Sequence, residues 1–298
     1  MGCFIGLPQP PTTTDVAYNR LCKYAKQTLV PVSGLDTDKS FFFRDTRSNL
    51  WKLSKHRYVA EATEMYYNNM RAFLLPATHF ILKPAAIQKL TVRAFGMKMR
   101  QGSTDMYDFM DEHFDPEGVS KALHDVSEAI HWLHDRRLAH RDIKPENIVL
   151  HNGRWKLIDF DFCSPLEQFV HCGTEHFVCP HSVTKDWPGS KSDSSRRADV
   201  YAFGKMILMA LWKAGTDGLM KQRRVIWVMF HKPCVVDIPM HIEPAWQPWL
   251  DIAMTCCAKV PPVQIPTLPA TMENTLGTID SGTAVATMQM VDADNIFA

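Results

Sequence analysis

At 298 residues the chain is long enough to bury a sizeable core, as one large domain or as two small lobes. Its 33 basic and 32 acidic side chains leave a formal net charge of +1, which excludes a bulk electrostatic attraction to nucleic acid. Eight scattered cysteines lack the dense spacing of a disulfide scaffold, so reduced thiols in an intracellular compartment, cytoplasm or nucleus, are expected. No apolar run reaches membrane-span length, because "VYAFGKMILMALW" is interrupted by Gly204 and Lys205. Gly2 and Cys3 invite an acylation reading, but Gly6 stands where that motif carries Ser or Thr, so a lipid anchor is not expected.

Residues 1 to about 28 contain Pro and Thr without a sustained period and read as a loosely docked leader. "TLVPV", "SFFFRD" and "LWKLS", the last two separated by the turn "TRSN", read as strands of a small antiparallel sheet. Val59, Ala62, Tyr66 and Met70 recur at helical spacing, and strand-like sequence returns over 78–100. Beyond Gly102 the texture turns helical: "TDMYDFMDEHF", then a long helix with Asp115 as N-cap. Two short strands, "NIVLHN" and "RWKLIDF", meet at a turn over Asn152 and Gly153, and "RRADVYAFGKMILMALWKA" is a further helix. Residues 261–298, rich in Pro, Thr, Gly and Ala, read as a mostly disordered tail.

The densest chemistry lies in "HRDIKPENIVL", residues 140–150. Phosphoryl transfer calls for a carboxylate to orient the acceptor hydroxyl, ligands for the metal that neutralises the phosphates, and a cation near the transferred group. Asp142 suits the first task, Asn147 the second through its amide oxygen, and Lys144 the third. Asp159, at the end of the apolar strand "WKLI", offers a second oxygen ligand to the same metal.

These residues resemble a eukaryotic-type protein kinase over roughly 29–260. "HRDIKPEN" is similar to the catalytic loop, and "DFD" at 159–161 stands where the family has DFG. "CGTEHFVCP" resembles the peptide-receiving segment, and "ADVYAFG" resembles the helix whose aspartate, here Asp199, braces the catalytic loop. The resemblance implies an α+β, bilobal fold: a small antiparallel β-rich lobe over about 29–101, a mainly helical lobe over about 102–260, and a nucleotide between them. It also implies ATP and Mg²⁺ as cofactors and phosphorylation of protein substrates. Lys144, together with Thr174 as the hydroxyl that links Asp142 to the peptide-binding loop, resembles the serine/threonine branch.

In the small lobe, aligning the phosphate-covering loop on Gly34 keeps one glycine of three, with Asp36 and Lys39 in the loop. For the lysine that grips the phosphates, Lys52 is favoured over Lys55, because Trp51 and Leu53 lie on the opposite, buried face of its strand. Its expected helix partner is Glu64 or Glu61, which three-residue spacing cannot separate. "AFGMKMRQGSTDMYDF" resembles the strand, connector and following helix that bind adenine, which would put Met99 at the connector and Asp105 near the ribose or a basic substrate residue that Glu146 would also receive.

Two departures from the family stand out. Asp161 replaces the DFG glycine, removing a free hinge and adding a carboxylate. His181 stands where the family has the glutamate of its APE motif, and no arginine occurs near 259–265 to pair with one. Between Asp161 and Cys172 only Ser164 offers a phosphate acceptor, with Arg141 as its expected reader, so activity without loop phosphorylation is expected. A pseudokinase acting as a scaffold is the alternative reading, and a small-molecule phosphotransferase is a third. Compact kinases with eroded small-lobe motifs are similar to those of large DNA viruses, herpesviruses included, which would place the protein in an infected host cell.

Overall fold

The computed structural model describes residues 15–32, 37, 39–112, 114–168, 172–179, 187–214 and 244–270. Readings made on Gly2, Cys3, Gly34, Asp36, Pro180, His181 and residues 271–298 lie outside these. The chain forms two compact units, Met1–Gly102 with Ile158–Asp161, and Ser103–Leu157 with Phe162–Ala298.

The first unit is built on an antiparallel sheet in the order β1-β2-β3-β5-β4. Its strands are β1 (Val30–Pro31), β2 (Ser40–Arg44), β3 (Leu50–Lys55), β4 (Ala86–Thr91) and β5 (Ala94–Met99). Alternation sends Trp51 and Leu53 of β3 to one face and Lys52 and Ser54 to the other, and all four are buried. Ile87, Phe95 and Met97 pack against Met65, Tyr66, Met70 and Phe73 of helix α2 (Val59–Leu74).

The other face is covered by helix α1 (Val16–Ala25), whose Ala17, Tyr18 and Leu21 pack against Leu29, Phe41, Phe43, Trp51, Leu53, Leu90 and Ala94. The loosely docked leader expected over 1–28 is therefore wrong for 16–25. Asp15 caps the helix through its Oδ1, which accepts from Ala17 N at 2.8 Å and Tyr18 N at 3.1 Å. Three apolar positions on one short face suffice for docking, because full burial of a side chain like Leu21 is worth about 1.5–3 kcal/mol. Gly96 permits the close approach: a Cβ there would lie 2.3 Å from Leu21 Cδ1.

In the turn between β2 and β3, the buried Asp45 carboxylate accepts from Arg47 N (2.9 Å), Asn49 N (2.9 Å) and Trp51 Nε1 (3.1 Å). Burial alone would raise its pKa, but these donors outweigh it and bring it down to about 2.

The second unit is largely helical, and the molecule is α+β. It contains α3 (Met106–Glu112), α4 (Pro116–Asp135), α5 (Lys191–Ala214) and α6 (Gln247–Cys256), with short strands β6 (Leu138–Ala139), β7 (Ile148–His151), β8 (Arg154–Leu157) and β9 (Ser164–Pro165). Asp115 caps α4 with Pro116 at its first position, as the sequence predicts. The β7–β8 hairpin turns on Asn152 (φ 54°) and Gly153 (φ 72°), the left-handed pair of a two-residue type I′ loop. Buried Asp125 of α4 accepts from Trp155 N at 2.9 Å, fastening the hairpin to the helix.

Helix α5 starts at Lys191, earlier than its apolar run suggests, because Ser190 and Asp193 exchange hydrogen bonds as a capping box. Arg197 donates to the carbonyls of Pro188 and Pro261, each at 2.8 Å, and Trp187 Nε1 donates to Lys259 O at 3.0 Å. These ties, with Ile265 buried, extend packed structure past the boundary at 261 from which a disordered tail is expected.

Candidate active site

In the second unit the loop at 140–147 is organised by Asp199 of α5, which is fully buried. Its Oδ1 accepts from Arg141 N at 2.7 Å, and its Oδ2 accepts from His140 N at 2.9 Å. His134 Nε2 of α4 lies 2.9 Å from the same Oδ2. Burial pushes the Asp199 pKa up, but His134 and the backbone donors outweigh it and hold the carboxylate ionised below its ordinary range. These bonds fix Arg141 at φ 68°, a left-handed conformation that costs a non-glycine residue about 1–2 kcal/mol.

That backbone presents Asp142, 6% exposed, to a compact polar set. Its Oδ1 accepts from Thr174 N at 2.8 Å and from Thr174 Oγ1 at 2.7 Å. Its Oδ2 accepts from Asn147 Nδ2 at 3.0 Å and pairs with Lys144 Nζ at 3.2 Å. Lys144 Nζ also donates to Thr174 Oγ1 at 2.7 Å, and Asn147 Nδ2 to Asp142 O at 2.8 Å. With the Asn147 amide nitrogen engaged by Asp142, its carbonyl oxygen is the end suited to a hard cation. Gly173 (φ 118°) makes the contact with Thr174 possible, since a Cβ there would sit 2.5 Å from Arg141 O. The structure thus brings Asp142, Lys144, Asn147 and Thr174 together.

Arg141 donates to the carbonyls of Pro165 (3.2 Å) and Gln168, and to Ser195 Oγ (3.2 Å). Ser164, the candidate phosphate acceptor, is 3% exposed in β9.

In the first unit, Lys52 Nζ lies 2.8 Å from Asp161 Oδ2 and 3.3 Å from Asp159 Oδ1. Burial pushes the Lys52 pKa down, but the Asp159 and Asp161 charges outweigh it and raise it above the ordinary lysine value. Asp159 sits at φ 60°, whereas Asp161 does not occupy the left-handed region, so a side chain at the DFG glycine position is carried without backbone strain.

The glutamate expected on the helix is a correction. Glu61 lies 2.7 Å from Lys39 Nζ and 3.5 Å from His56 Nδ1, and Glu64 is exposed, so neither is the partner of Lys52. The face of α2 turned toward this group carries amides instead. Asn69 Nδ2 donates to Asp161 Oδ1 at 2.7 Å, and Asn68 Nδ2 to Asp161 O at 2.8 Å. Sequence reasoning missed both asparagines. Their signal was two adjacent poor helix formers inside an amphipathic run, with no cap or turn to explain them.

Met99 ends β5, half-buried and opposite Leu50. Asp105 Oδ1 accepts from Asp108 N at 2.9 Å, which caps α3, and burial pushes its pKa up. Each by its own chemistry, the Asp159 carboxylate and the Asn147 amide oxygen are hard oxygen donors of the kind Mg²⁺ takes.

Among proteins of known kind, MAP kinase-interacting serine/threonine-protein kinase 2 of Xenopus laevis is 29% identical over 130 residues, 38% of this chain and 28% of that protein. Serine/threonine-protein kinase pak-1 of Caenorhabditis elegans is 33% identical over 96 residues, 30% of this chain and 16% of that protein. Aurora kinase B-A of Xenopus laevis is 29% identical over 85 residues, 26% of this chain and 24% of that protein. The chain spans less than a third of the length of each of these relatives. The sequence model of the protein kinase domain matches residues 80–256, more than half of the chain, and the chain belongs to that family.

Proposed function

We propose that the protein transfers the γ-phosphoryl group of ATP to serine or threonine hydroxyls of protein substrates, within a kinase domain spanning about 29–260. The observation that carries this reading is the Asp142 carboxylate, buried yet supplied with Thr174, Asn147 and Lys144. A non-catalytic module gains nothing from so costly a polar set. In this reading Asp142 accepts the proton of the attacking hydroxyl, Lys144 steadies the transferred group, and Thr174 holds both in register. Lys52 grips the α- and β-phosphates, Gly34 belongs to the loop over them, and Met99 borders the adenine. Asn147 and Asp159 are the metal ligands; a bound Mg²⁺ would neutralise the phosphate charge.

Arg141 is engaged by backbone carbonyls and Ser195 rather than held out for a phosphate, which supports turnover without loop phosphorylation. With the Asp105 carboxylate committed to capping α3, exposed Glu146 is the better acidic group for a basic residue before the acceptor. No helix among the described residues is long and apolar enough to cross a bilayer. Origin in a large DNA virus is part of the proposal, supported by the eroded small-lobe motifs.

The test is an assay with Mg²⁺–ATP and a generic basic protein, comparing wild type with Asp142→Ala and Asp159→Ala. Activity confined to wild type supports the enzyme. Equal signal from all three leaves the scaffold reading, which Asp161 and the single glycine at 34 favour.

A further inference from the structure

We infer that Asp161 is the positioning residue for Lys52, supplying from the segment 159–161 the carboxylate that would otherwise come from a glutamate on α2. The inference rests on the proposed kinase function for its catalytic meaning, but its geometry stands alone.

Three observations converge on it. The first is the ion pair itself: Lys52 Nζ is closer to Asp161 (2.8 Å) than to Asp159 (3.3 Å), and the side chains of Lys52 and Asp161 are only 6% and 15% exposed. A buried ammonium needs such a partner, because an unpaired one costs several kcal/mol.

The second is that the helix has no carboxylate to give. Glu61 is taken by Lys39, Glu64 is exposed, and the position of α2 that reaches the pair is Asn69. A glutamate at 69 would bring a second negative charge against Asp161; a neutral amide donates to it instead.

The third is that both amides are engaged with Asp161 and with their own helix. Asn69 Nδ2 donates to Asp161 Oδ1 (2.7 Å) and to Met65 O (3.0 Å), while Asn68 Nδ2 donates to Asp161 O (2.8 Å) and its Oδ1 accepts from Arg71 Nη1 (2.7 Å). Asp161 is therefore held at its backbone and at one carboxylate oxygen, with the other oxygen directed at Lys52. With aspartate at 161, where the family has glycine, and asparagine at 69, the carboxylate facing Lys52 stands on the loop and a neutral hydrogen-bond donor stands on the helix. The Lys52–α2 connection survives through Asp161 as a bridge.

The test combines stability with kinetics. In a double-mutant cycle read by urea unfolding, Lys52→Met and Asp161→Asn should be non-additive, the pair losing clearly less than the sum of the singles. Lys52→Met and Glu61→Gln should add. In turnover, Asp161→Asn should raise KM for ATP about tenfold or more while leaving KM for the protein substrate in place. Asp161→Gly/Asn69→Glu, which puts the carboxylate back on the helix, should recover most of what Asp161→Gly loses. Additivity of Lys52 with Asp161, or a rise in KM for ATP on Glu61→Gln or Glu64→Gln with none on Asp161→Asn, would overturn the inference. If wild type proves inactive, the proposed function fails and the unfolding cycle alone decides whether Asp161 holds Lys52.

Discussion

Asp199→Asn is expected to destabilise the second unit by about 3 kcal/mol and to cut turnover. The carboxylate serves Arg141 N with one oxygen and His140 N and His134 with the other. An asparagine offers one acceptor, so its amide nitrogen must face at least one buried backbone N–H. Losing one bond to a charged acceptor costs about 1.5–3 kcal/mol, and leaving its buried donor unsatisfied costs about 1–3 kcal/mol. The Arg141 backbone at φ 68° is then free to relax, releasing about 1–2 kcal/mol and swinging Asp142 away from Thr174. Urea unfolding at neutral pH reads the stability, and kcat at saturating ATP reads the loop. A loss below about 1 kcal/mol with kcat unchanged would refute the reasoning that Asp199 sets the geometry of Asp142.

Asp45 gives a pH dependence: its folded pKa of about 2 lies below the ordinary 3.8. Its stabilisation is therefore complete above pH 3.8 and lost as pH falls toward 2, about 2 kcal/mol in all. Acid titration of urea stability should show that loss in wild type, and Asp45→Asn should lack it. Gly96→Val should cost about 1–3 kcal/mol through its collision with Leu21, and adding Leu21→Ala should recover part of the loss caused by the valine; thermal melts of the four proteins decide it. Ser164→Ala should retain wild-type activity, because Ser164 is buried and Arg141 is already bonded; a strong loss accompanied by phosphate on Ser164 in the active wild type would contradict this.

Local rules carried the elements whose signals are self-contained. The Asp115–Pro116 start of α4 and the Asn152–Gly153 turn could be read directly, since cap and turn chemistry act within a few residues. Strand alternation separated Lys52 from Lys55: Lys52 is buried beside two carboxylates, while Lys55 is partly exposed and pairs with Asp15. Helix α1 escaped because its apolar face is short and follows a Pro- and Thr-rich stretch; its stability comes from the sheet beneath it. The partner of Lys52 escaped for a different reason. Asp161 is 109 residues away in the chain, and only packing could reveal that the carboxylate facing Lys52 stands on the loop while α2 presents an amide. That Asp142, Lys144, Asn147 and Thr174 would meet could be anticipated from a short motif, whereas the orientation of the loop depends on Asp199 and His134 from two distant helices.

The central claim is that Asp142 takes the proton of the acceptor hydroxyl. Single-turnover transfer from ATP to a saturating protein substrate, wild type against Asp142→Asn, tests it most directly. The account predicts a fall of about 10²–10⁴ in the transfer rate with nucleotide affinity unchanged. Transfer by Asp142→Asn at the wild-type rate would contradict it.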